Sequence, residues 1–144
     1  MTDMSLGKTM SEDTLSLSDI LIPLAITVII DSKVKERELD SYIEQGVALA
    51  TLFGIQNINK ETVLNWYKSN ETALREKLAG KRRNTLVLRS LTRFKDDVHI
   101  ENVFEAMVAI SVSDDEYHYQ ESELIRSAAV VWGYQRPPIK VDKR

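Results

Sequence analysis

Residues Ile20 to Ile30 read ILIPLAITVII, an eleven-residue run whose only hydroxyl belongs to Thr27 and which is bracketed by Asp19 and Asp31. A helix that spans a bilayer needs about 20 such residues. This run is too short for that and too apolar for a solvated face, so it predicts a helix buried inside a protein core. The rest of the chain must supply the cover. With 144 residues and 43% hydrophobic side chains, the sequence has the material for one compact domain with a single core.

The cover is helical. Val103, Phe104, Met107, Val108 and Ile110, then Leu124, Ile125, Ala128, Ala129 and Trp132, recur at the spacing of one helix face. No segment shows the strict alternation of a half-buried strand. The pattern predicts an all-α fold with helices at about 12–30, 36–53, 60–79, 83–94, 98–112 and 119–132. Asn59 and Asp97 are the expected N-caps, because a short polar side chain there accepts an amide of the first turn. Gly54, Gly80 and Gly133 are the expected stops. Pro23 lacks an N–H and predicts a kink, or a junction between two shorter helices. Trp66 and Tyr67 are expected in the core. Residues 1–11 and 135–144 are expected to be flexible tails.

Several functional classes are excluded or disfavoured by composition. There is no cysteine, which removes disulfides, thiolate catalysis and cysteine-ligated metal sites. No Ser/His/Asp set, phosphate-binding glycine loop or zinc-protease helix motif occurs, so the chain is expected to be non-enzymatic. Met1 to Met10 has no basic stretch followed by an apolar block, and the cytoplasm is the expected compartment.

The two ends of the sequence share a layout. The segment from Ala25 to Ile55 and that from Ala106 to Tyr134 each contain an apolar helix ending at an Asp, a charged loop, a Glu seven positions on, a second helix and an aromatic–Gly pair. Asp31 and Glu38 thus correspond to Asp114 and Glu121, and Phe53–Gly54 to Trp132–Gly133. Chance alone gives about one Asp/Glu pair at this interval in such a composition. Both pairs in this chain fall at the same place in the unit.

Through Asp31, Val34 and Glu38, and again Asp114, Tyr117 and Glu121, the chain resembles the TerB-like tellurite-resistance family over about residues 18–134. That family runs an apolar helix into Ala-Asp-Gly and opens the next helix with a Glu. Here Ser32 and Asp115 stand where the family has Gly, and Lys35 and His118 where it often has Ser or Thr. The resemblance implies an all-helical fold with pseudo-two-fold repetition, no catalysis, and an acidic surface that binds divalent cations. It also implies a role in bacterial stress response or membrane-surface assemblies.

The residues themselves leave two readings of these acids open. Glu38 and Glu121 sit in first turns, where the exposed amides and macrodipole favour a negative charge by about 0.3–1 kcal/mol, while Asp31 and Asp114 can accept loop amides. Alternatively the four carboxylates ligate a metal, and an all-oxygen set suits calcium or magnesium. Asp115 and His118 are further candidate ligands. His99 reads as structural or solvated.

A second surface is basic: eight cationic residues and one acid lie between Arg75 and Lys95. Arg82, Arg89 and Arg93 share a helix face there, and Leu86, Val87, Leu91 and Phe94 supply the buried side. The net charge of −3 and the lack of aromatics among these cations argue against nucleic acid. The expected partner is an acidic protein or an anionic membrane surface, in a scaffold that needs no metal.

Overall fold

The computed structural model describes residues 15–30, 36–113 and 119–133, with the side chains of 119–122 excepted. The apolar run forms helix α1 (Leu17–Ile29), and every residue from Ile20 to Ile30 except Ile22 is buried. Its start lies at Leu17, later than the expected residue 12. Ser16 is the reason: its Oγ accepts from the Asp19 amide at 3.1 Å and its own amide donates to Asp19 Oδ2 at 2.9 Å, a reciprocal cap.

Pro23 does not divide the helix. It costs the backbone ladder one rung, yet Ile20 N–H still donates to Ser16 O and Ile30 N–H to Ile26 O. One turn below, the Thr27 hydroxyl donates to the Pro23 carbonyl at 2.8 Å, which satisfies this buried polar side chain.

Five more helices follow: α2 (Glu36–Leu52), α3 (Lys60–Ala79), α4 (Arg83–Thr92), α5 (Asp97–Ser111) and α6 (Tyr119–Val131). Among the described residues the fold is all-α. Asn59 caps α3 as expected, accepting from Thr62 N–H at 2.9 Å. The cap of α5 is Asp96, which accepts from Val98 and His99, and not Asp97. Asp96 has the extended backbone that aims a side chain at the first turn, whereas Asp97 is already helical.

Helix α1 is the axis. It packs against α2, α3, α4 and α5, while α6 lies against α5 and α4. Close approach of α2 depends on Gly46, where an added Cβ would stand 2.9 Å from both Leu21 Cδ2 and Val63 Cγ1. One turn before it, the buried Tyr42 hydroxyl donates to Val63 O at 3.1 Å, and its ring lies 5.4 Å from that of Tyr67.

The two aromatic–Gly pairs end their helices in the same way. Gly54 and Gly133 both have φ +86, the left-handed conformation that glycine adopts without strain. The preceding rings converge on one residue: Phe94 lies 6.5 Å from Phe53 and 6.4 Å from Trp132. Trp132 also packs edge-on to Phe104, and its indole N–H donates to Leu91 O at 2.9 Å.

This aromatic cluster marks one pole of the molecule. The end of α2, the start of α5 and the end of α6 meet there, with Phe53 stacked 4.1 Å from His99. The start of α1 joins them through Asp19 and Arg93, 3.2 Å apart at the end of α4. At the other pole, Ile30 at the end of α1 shares a cavity of about 340 Å³ with Arg83, Glu123 and Leu124, near the starts of α4 and α6.

Candidate functional site

Of the acids nominated from sequence, Glu38 is the one whose side chain is described. It occupies the first turn of α2, and neither carboxylate oxygen reaches solvent. The expectation of an acidic surface is therefore corrected at this position: Glu38 faces the interior. Its place in the helix explains why. Glu38, Tyr42, Gly46, Leu49 and Ala50 form one buried stripe at steps of three and four. That periodicity is present in the sequence, but the first-turn position of Glu38 reads there as a helix-start charge or a ligand and not as a member of the stripe.

Burial of a carboxylate is costly in an apolar environment and is met by positive potential or hydrogen bonds. The first turn of α2 supplies some of that potential through its exposed amides. Asp31, Asp114, Asp115 and His118 lie outside the described residues, and Glu121 is placed in the first turn of α6 by its backbone alone. Among the described residues, no group of three or more His, Asp or Glu side chains could hold a metal ion.

One turn beyond Glu38, burial pushes the phenol of Tyr42 far above its ordinary range, with Tyr67 adding to the effect. Tyr67 is raised too, by burial first and then by Glu71, which accepts its hydroxyl at 3.1 Å. Glu71 is held in turn by Arg75 at 2.9 Å. Both phenols donate hydrogen bonds, and their tilted rings pack α2 against α3.

The basic segment divides in function. Arg75 is engaged with Glu71, and Arg83 turns back to donate to Leu78 O at 3.1 Å, closing the turn between α3 and α4. Arg82, Arg89 and Arg93 are all exposed along α4. Arg93 makes the bidentate contact to Asp19, which neutralises one end of this face. Leu91 and Phe94 fill the buried side, with Leu86 and Val87 half-buried.

Sequence reasoning missed an apolar groove of about 400 Å³ between α4 and α6, lined by Val87, Leu88, Leu91, Val130 and Val131, with Arg126 on its rim. Leu88 is 50% exposed and Val130 77%. The available signal is a surplus: α4 and α6 each carry one large aliphatic more than their buried face takes up.

Comparison with family models, curated proteins and solved structures returns no match to this chain. No described helix is long and apolar enough to cross a membrane.

Proposed function

We propose that this chain is a non-enzymatic, TerB-like helical module that binds divalent cations or a protein partner through the acids of its two helix–loop–helix units. The observation that carries the reading is the matched ending of those units. Phe53–Gly54 and Trp132–Gly133 share a left-handed glycine and a ring on Phe94, as expected of a duplicated unit. Joint action of Asp31, Glu38, Asp114 and Glu121 is what the resemblance implies, and their equal Asp-to-Glu interval in the two units supports it. Glu38, being buried, contributes field and position from within the fold. The setting is a stress-response assembly in the bacterial cytoplasm, with calcium or magnesium as the favoured cation.

The test is thermal. A cation that binds the folded state alone stabilises it by about 2.7 kcal/mol at 100 times its Kd. Millimolar calcium is expected to raise the Tm of the native chain and of Lys140→Ala, and to leave Asp31→Asn/Asp114→Asn unmoved. Equal shifts in all three, or none in any, would rule out the cation site.

A second reading has its own observation. Arg82 and Arg89 stand exposed on α4, where an acidic protein or anionic membrane surface can dock without a metal. In that case Arg82→Glu/Arg89→Glu abolishes retention on anionic vesicles or on an acidic peptide, and calcium has no effect on Tm.

A further inference from the structure

We draw no further inference here: the strongest candidate, the apolar groove between α4 and α6 floored by Val87, Leu91 and Val131 and flanked by the exposed Leu88 and Val130, has as its one charged lining residue an Arg126 already paired with Glu123 at 3.1 Å, so nothing in the structure shows what covers it.

Discussion

Helices α2 and α6 both run into an aromatic–Gly pair with a left-handed glycine, yet they are held very differently. Helix α2 is wedged among α1, α3 and α5, and its buried stripe includes a carboxylate, a tyrosine that hydrogen-bonds a neighbouring backbone, and a glycine in close contact with two helices. Helix α6 rests mainly on α5 and α4. It buries Leu124, Ile125, Ala128 and Ala129 and leaves Val130 largely in solvent. The same terminating chemistry therefore serves an internal element in one half and a peripheral one in the other. Sequence repetition specifies local ends and turns, while the number of neighbours decides how much each helix contributes to stability.

The most disruptive test of this contrast is at the residue both halves share. Phe94→Ala removes a buried ring at the junction of α2, α4 and α6 and is expected to cost about 3–5 kcal/mol. Urea unfolding followed by far-UV circular dichroism and by tryptophan fluorescence should shift in a single step. Separate transitions for the two probes in the native chain, already present before Phe94 is removed, would show that the aromatic cluster does not join the halves.

Next in size is a substitution that distinguishes the two helices directly. Gly46→Val forces a branched side chain against Leu21 and Val63 and is expected to lose about 1–3 kcal/mol. At the exposed Ser127 of α6, Ser→Val should change stability by no more than about 0.5 kcal/mol. Comparable losses at the two sites, by the same urea titration, would erase the distinction between an internal and a peripheral helix.

A subtler experiment asks whether the ends are as alike as their geometry. Around both Gly54 and Gly133 an added Cβ meets nothing within 4 Å, so alanine costs only the left-handed conformation. Each variant should lose about 1–2 kcal/mol, and the two values should agree. A clear inequality in Tm would mean that one of the turns is supported by more than its backbone.

The smallest effect is expected at the surface. Arg93→Gln breaks the bidentate contact to Asp19, whose partners are partly exposed, and should cost less than about 1 kcal/mol. That cost should fade in 1 M salt, where charges are screened within about 3 Å. A large, salt-independent loss would show that Arg93 tethers α1 to α4 by packing and not by charge.

The helical architecture was legible because its signals are local. The apolar run, the periodic faces, Asn59 and the three glycines each act within a turn or two, and the structure places helix ends close to them. The errors were also local, between rival signals. Ser16–Asp19 is a capping pair hidden behind a run of polar residues that permits an earlier start, and Asp96 and Asp97 offer two caps one residue apart. The candidate site was less legible. Whether a first-turn Glu faces water or core depends on which side of α2 meets α1 and α5, a tertiary property that the Asp-to-Glu interval does not encode. Of its partner acids, Asp31 and Asp114 lie outside the described residues and Glu121 is described by its backbone alone. The groove was missed for a related reason: a surplus aliphatic becomes meaningful only when two helices, here α4 and α6, bring their surplus together.

The central position of α1 has a consequence for synthesis. Helix α1 leaves the ribosome before the helices that cover it, and α5, one of its main covers, begins only at Asp97. Domains are made from the N-terminus at about 5–20 residues per second. For several seconds, then, the most apolar helix of the chain is present without its complete shelter. The nascent protein is most exposed to aggregation during that interval, and chaperone dependence should be greatest for chains halted before α5.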